Sequence, residues 1–511
     1  MAQLATTLRD HNLTRQAGAI LLAICVGVMG GLAVVLGNPL VPFAVVITLV
    51  ALPWLVTRPL ADLGLVIAAI TLLPFAVLPV HLAFFTPTLL EICTLLLYVA
   101  WLLRALLAGE AFVRSPLDGP ILLFVGCTIF AFVLGLSRDF STELAHNYSK
   151  MLLSIGLFFA VVNLVRTQEA VALVLRLLIG MGGAVSALGL VLYRLPDTLA
   201  GSLLTRLSVI GYPTDRVIRY IEDDPTLGER AVSTQVDPNS FGGMLVVLAV
   251  VTGVALLSRK PLMPRWLLCL MLAADLGALL ATQSRSAFVA VIAAALFVGT
   301  LRYRKLWRYA FLLAVALWAT GLGSRYFSRL VSGVLFQDAS NLQRLNEYQN
   351  SFAIIAHYPA FGVGFGSAGE LDLTTGVSSL YLTIAERAGL LGLALFLLVM
   401  ALFFINTLPA LFVSLKRGSA RGGRGETRWS VLDTGLLGST AAIVGALVAS
   451  VADHFYFNIE FAHMVALFWL IMGLALVSRR LLLDQQTEPA MEHLPSRGAA
   501  VSRYLPNKQA H

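Results

Sequence analysis

Long apolar runs alternate with short polar breaks along this chain, and the pattern predicts a bundle of membrane-crossing helices. A helix needs about 20 apolar residues to cross a bilayer. Candidate runs lie near 17–36, 40–56, 63–84, 87–107, 118–136, 149–165, 171–193, 240–258, 264–282, 286–301, 306–323, 389–413, 434–455 and 460–478. They predict about fourteen spans, the second and tenth being the shortest. The run from residue 17 has no small-residue cleavage site after it and reads as a retained span, not a removed leader. Neither tandem repeats nor inverted halves are apparent.

Lys and Arg positions orient this threading. With a cytoplasmic N-terminus, every inner connection carries positive charge: Arg58; Arg104 and Arg114; Arg166; Arg259, Lys260 and Arg265; Arg302, Arg304, Lys305 and Arg308; Lys416, Arg417, Arg421, Arg424 and Arg428; Arg479 and Arg480. The short outer connections at 37–39, 80–86 and 456–459 carry none. That bias is the one that sets insertion orientation. It predicts a multi-pass membrane protein with both termini cytoplasmic. The polar segment 481–511 reads as a disordered tail.

Composition agrees. The 511 residues are 58% hydrophobic and 13% charged, against about a quarter charged in soluble domains. The net charge of +8 therefore reflects topology first, and nucleic acid is not an expected partner. Cys25, Cys93, Cys127 and Cys269 each lie in an apolar run, which predicts packing roles and neither disulfides nor a metal site.

Two long outer connections break the charge pattern. Segment 194–239 holds Arg194, Arg206, Arg216, Arg219 and Arg230; segment 324–388 holds Arg325, Arg329, Arg344 and Arg387. Loops this long are functional or disordered as a rule, and their apolar content predicts ordered, partly helical structure. They divide the chain into spans 1–193, a loop 194–239, spans 240–323, a large loop 324–388, spans 389–480 and the tail 481–511. Three stretches carry candidate chemistry: RAVSTQVDPNSFGG from Arg230; TQSRSA with Thr282, Ser284 and Arg285; and QRLNEYQNSFAIIAHYPAFGVGFGS, which leads to SSLYLTIAERAGLLG.

In this order and topology, the stretches resemble the bacterial O-antigen ligase and polymerase family of membrane glycosyltransferases. Arg230, Arg285, Pro359, Gly362, Gly364, Tyr381, Leu382 and Gly389 match the family's pattern, closely over about 230–395. The family's His falls at Ser378 and its Asn at Ser379, a departure that makes a lipid A-core ligase a weaker fit than a polymerase or divergent glycan transferase. The resemblance implies an all-α, GT-C-like polytopic bundle with long periplasmic loops. It also implies transfer of a glycan from an undecaprenyl-diphosphate donor to an acceptor hydroxyl of a glycan, lipid or protein at the outer face. The expected enzyme is inverting and metal-independent and uses no cofactor. A lipid-linked oligosaccharide flippase is the alternative, and a non-catalytic assembly partner a third class.

The chemistry asks for cations. Negative charge builds on the departing diphosphate, and guanidinium groups hold phosphate oxygens bidentately while staying charged. Arg230, Arg285 and Arg344 are thus the expected diphosphate ligands; each could instead be a headgroup anchor. With Ser at position 378, the acceptor's proton needs another taker. Asp372 and Glu370, ahead of the altered motif, are the first candidates; Glu347 and Glu386 also qualify. Tyr381 could stack on a sugar or be an ordinary interfacial aromatic. GVGFG either brings amides to a phosphate or only permits a tight turn and close packing. Asp275, inside a span, could pair with an arginine such as Arg285. Asp453 and His454, at the outer end of a span, make His454 a fallback base provided the fold brings it close. His463 reads as a packed helix residue.

Overall fold

The computed structural model describes residues 57–78, 86–107, 109–138, 140–303, 307–308, 311–312, 315–316, 339–366, 376–420 and 430–492. Their regular structure is almost wholly helical. In chain order the helices are α1 (Pro59–Leu72), α2 (Leu89–Leu107), α3 (Asp118–Gly135), α4 (Thr142–Leu164), α5 (Gln168–Arg194), α6 (Asp197–Thr205) and α7 (Pro238–Leu257). Then follow α8 (Arg265–Thr282), α9 (Arg285–Leu301), α10 (Ala339–His357), α11 (Leu380–Ala420), α12 (Val431–Ala449) and α13 (Ala462–Glu492). The only ribbon among them pairs β1 (Arg219–Tyr220) with β2 (Glu229–Arg230), antiparallel, with Arg219 opposite Arg230.

Nine of the described helices are long and apolar enough to span: α2, α3, α4, α5, α7, α8, α11, α12 and α13. They correspond to nine of the runs read from the sequence. Two further runs form shorter apolar helices, α1 and α9. Pro74, two residues beyond α1, has no amide to extend it. The runs 17–36, 40–56 and 306–323 lie outside the described residues, except for a few positions after 306. The last helix continues to Glu492, past the boundary expected at 480, and α11 starts at Leu380, inside the segment expected to be loop.

The core is a seam of α7, α12 and α13. About four-fifths of each of their apolar stretches is buried inside the protein, against a third for α2, α3 and α8. That difference separates helices wrapped by protein from helices whose Leu, Val and Phe side chains face outward, as Leu122, Leu123 and Val133 do on α3. Small residues let the seam close: a Cβ on Gly445 of α12 would sit 2.8 Å from Val246 of α7. Trp469 and Phe468 of α13 fill the space on the other side.

Helix ends sort into two layers. At one, Arg480 donates to the carbonyls of Val162 (3.1 Å) and Val165 (3.2 Å), and Thr434 meets Ser258. Arg166 reaches Ala111 there, and Tyr303 reaches Leu257. These are the connections read as basic and inner. The opposite layer gathers the 195–237 segment, the α8–α9 turn, the entry to α11 and the 450–461 connection, and with them Arg230, Arg285, Asp453 and His454.

Candidate active site

The entry to α11 explains why the Pro-Gly and Glu-x-x-Gly stretches occur together. At Gly389 the backbone adopts φ 72° and ψ −179°, so the helical ladder opens. The amides of Leu390 and Leu391 donate instead to the carbonyls of Pro359 (2.8 Å) and Ala360 (3.4 Å). The carbonyls of Glu386 and Arg387 accept from the amides of Val363 (2.9 Å) and Gly364 (3.1 Å). Segment 359–364 is thus spliced into the broken helix and satisfies groups that would otherwise be stranded. Contact is too close for side chains: a Cβ on Gly389 would lie 2.1 Å from the Ala360 carbonyl oxygen, and one on Gly364 2.7 Å from the Cα of Gly135. Of the two readings of GVGFG, close packing is the one observed, since the amides of Gly362, Val363 and Gly364 are taken by backbone carbonyls. Arg387 completes the splice by donating to the carbonyls of Gly364 (3.4 Å) and Gly366.

Beside this splice, four separate parts of the chain meet around Asp453, in the connection between α12 and α13. Ser286, in the first turn of α9, donates to its carboxylate and lies 3.1 Å from the Ser284 hydroxyl. Arg344 of α10 approaches Asp453 at 3.8 Å. Arg230, at the end of β2, donates to the Thr282 carbonyl (2.8 Å) and to the Asn239 side chain. Its neighbour Ala231 is bonded to Ala281, which fixes the ribbon against the end of α8. Asp237 caps α7, accepting from the amides of Asn239 (2.9 Å) and Ser240 (2.7 Å).

These charges act on one another. Burial pushes the Asp453 carboxyl up to about 6, with Arg344, the Ser286 hydrogen bond and Arg230 pulling it down and Asp237 pushing it up. At neutral pH Asp453 is therefore an anion facing the Arg344 guanidinium. Next to it, burial draws the His454 ring below the usual histidine range, opposed by Asp237 and Glu347 and assisted by Arg387 and Arg344. Its ring stacks on Phe455, and its Nδ1 is buried with no hydrogen-bond partner among the described residues. His454 also lines a cavity of about 250 Å³ together with Arg387, Glu460 and Asn458. Ser378 is occupied elsewhere: its amide (3.1 Å) and hydroxyl (2.7 Å) both donate to Glu347.

The residues singled out from the sequence thus fall into groups. Arg230 and Arg344 lie around Asp453. Arg285 opens α9 between the two serines of the cluster. Tyr381 donates its hydroxyl to the Leu447 carbonyl (2.9 Å) and packs against Phe396, which ties it into the bundle. Asp372 and Glu370 lie outside the described residues, as do Arg325 and Arg329. Glu386 is buried and accepts from the Gly376 amide at 3.0 Å. The carboxylate oxygens of Asp275 are taken by hydroxyls, Ser186 at 2.6 Å and Thr252 at 3.2 Å. Among the described residues no group of three or more His, Cys, Asp and Glu side chains has the arrangement of a metal site. Asp453 has no role of its own in the sequence reading; its signal is an acid beside a histidine at the outer end of a span.

Residues 267–397 match the family model described as O-antigen ligase. The match supports assignment to the O-antigen ligase and polymerase family, and a function of that general type in a multi-pass membrane protein. It runs from α8 through the splice at Gly389 and includes Arg285 and Arg344, whereas Arg230, Asp453 and His454 lie beyond it. No curated protein matches the chain.

Proposed function

We propose that this protein is a membrane glycosyltransferase of the O-antigen polymerase or ligase type. It takes a glycan from an undecaprenyl-diphosphate donor and joins it to an acceptor hydroxyl at the outer face of the inner membrane. The observation that carries this reading is the meeting of Arg230, Arg344, Ser286 and Asp453 at one end of the bundle, from segments far apart in sequence.

In this reading Arg230 and Arg344 face the diphosphate, with Arg285 at the start of α9 adding a third guanidinium. Asp453 holds Arg344 in place until the more highly charged diphosphate competes for it. As the bond from the sugar carbon to the phosphate oxygen breaks, charge accumulates on the leaving diphosphate. Cations already fixed in a poorly hydrated site stabilise that charge without reorganising. Displacement at the sugar carbon by the acceptor oxygen inverts that centre and needs no nucleotide, since the lipid diphosphate is itself the activated donor.

The test uses the full-length protein in lipid nanodiscs, given lipid-linked glycan and acceptor lipid extracted from the source cells. Formation of a new glycosidic bond with release of undecaprenyl diphosphate is the expected result. Movement of the lipid-linked glycan between leaflets without bond formation would point to a flippase instead.

A further inference from the structure

The acceptor's proton has no obvious destination at Ser378, whose hydroxyl is given to Glu347, and the two acids first favoured from the sequence lie outside the described residues. The geometry points to a different group. We propose that His454 is the general base of the transfer reaction, and that the cavity it lines holds the acceptor sugar. This rests on the glycosyltransferase reading above and names a component of the same site.

Position comes first. The amide of Leu380 donates to the carbonyls of both Ser450 (2.9 Å) and Asp453 (3.0 Å). These bonds clamp the α12–α13 connection to the start of α11, immediately after Ser378 and Ser379. His454 therefore stands next to the Arg344–Asp453 pair on one side. On the other it faces the cavity bounded by Arg387, Thr383, Asn458, Glu460, Phe365 and Phe457. Two aromatic rings with several hydrogen-bonding side chains suit a sugar, which has apolar C–H faces and a rim of hydroxyls. About 250 Å³ leaves room for a sugar unit.

The charge environment suits a base. Nδ1 is buried without a hydrogen-bond partner among the described residues, so no structural bond there fixes the ring, and Nε2 is the nitrogen assigned to take the proton. Burial favours the neutral ring, which is the form that can accept a proton. Asp237 and Glu347 face it and stabilise the imidazolium once it forms, against Arg344 and Arg387, while Asp453 is the adjoining residue. The step balances. The acceptor oxygen forms its bond to the donor's anomeric carbon, and the bond from that carbon to the phosphate oxygen breaks with its electron pair on undecaprenyl diphosphate. The hydroxyl proton passes to the imidazole.

The experiment compares wild type and His454→Ala, full length in nanodiscs, with the donor and acceptor extracts described above. Transfer and equilibrium binding of the lipid-linked donor are measured separately. The variant should bind donor as wild type does but lose transfer by about 10²–10⁴-fold, the usual share of a positioned base. Added imidazole should restore part of the loss, in proportion to its neutral form. Transfer by His454→Ala close to the wild-type rate overturns the proposal. So does loss of donor binding along with transfer, or a defect that imidazole leaves untouched, because each marks the residue as structural. Where the alanine variant does not hold its fold, His454→Gln, closer in size, is read by the same criteria. A wild-type protein that forms no glycosidic bond sinks the glycosyltransferase reading itself, whereas active wild type with an unimpaired variant sinks only the base.

Discussion

Asp275 and Asp453 are both buried carboxylates, one in the middle of the bundle and one at its mouth, and their surroundings differ in kind. Asp275 of α8 is wrapped by hydroxyls from α5 and α7, Ser186 and Thr252, and so joins three helices. Asp453 meets a serine hydroxyl and a guanidinium, sits in a connection, and adjoins a cavity-lining histidine. Burial alone therefore does not mark function in this protein. What differs is the company: Asp453 faces a guanidinium and a hydroxyl brought from two other helices to a connection at the mouth, and Asp275 faces hydroxyls alone. Asp275 ties three helices together, and in the proposed reading Asp453 holds a cation that the diphosphate claims.

The comparison breaks or sharpens under substitution. The largest effect is expected at the mouth: Arg230→Ala should lower transfer by about 10²–10³-fold, the cost of removing one preorganised donor from developing charge. The assay is the nanodisc reaction, with folding checked by size-exclusion chromatography. Transfer retained after removal of both Arg230 and Arg344 would reject the assignment of these arginines.

Next, Gly364→Val should prevent the splice from seating, because its Cβ would lie 2.7 Å from the Cα of Gly135 on a backbone at φ 87°. A penalty of several kcal/mol is expected, on the order of an overpacked core plus backbone strain, read as a lowered melting temperature in detergent together with lost transfer.

Asp453→Asn tests the pH behaviour of the mouth. Burial raises the folded-state pKa of this carboxyl from the ordinary 3.8 to about 6. Ionising it then costs stability, so its contribution is most favourable below pH 4 and is lost as pH rises to about 6. The full span is on the order of 2–3 kcal/mol. The wild-type melting temperature minus that of Asp453→Asn should therefore fall between pH 4 and 6 and level off above. A flat difference would show that the carboxyl is not held up by burial. Smallest is Asp275→Asn, which keeps shape and polarity: transfer should be unchanged and stability should move by about 1 kcal/mol or less. A large loss of transfer there would erase the distinction between the two acids.

Much of the fold was legible because apolar runs of bilayer length declare themselves without reference to any partner. The runs near 87–107, 118–136 and 171–193 became α2, α3 and α5 with ends shifted by only a few residues. Gly389 was less legible. The family pattern marks it, but nothing in the pattern says that α11 breaks there and accepts the 359–364 segment. Asp275 was correctly singled out as costly, but its partners, a serine and a threonine on two other helices, could not be read from spacing along the chain.

The sequence by itself determined that the chain is a helical membrane bundle, which ends of its helices share a layer, and which arginines break the charge pattern. Those are properties of local hydrophobicity and of charge counted along the chain. Only the tertiary structure decided that Arg230, Ser286, Arg344 and Asp453 meet, and that His454 lies beside the start of α11. Such encounters follow from how helices cross and which connections lie side by side. They depend on packing summed over the whole bundle, which no single stretch of sequence encodes.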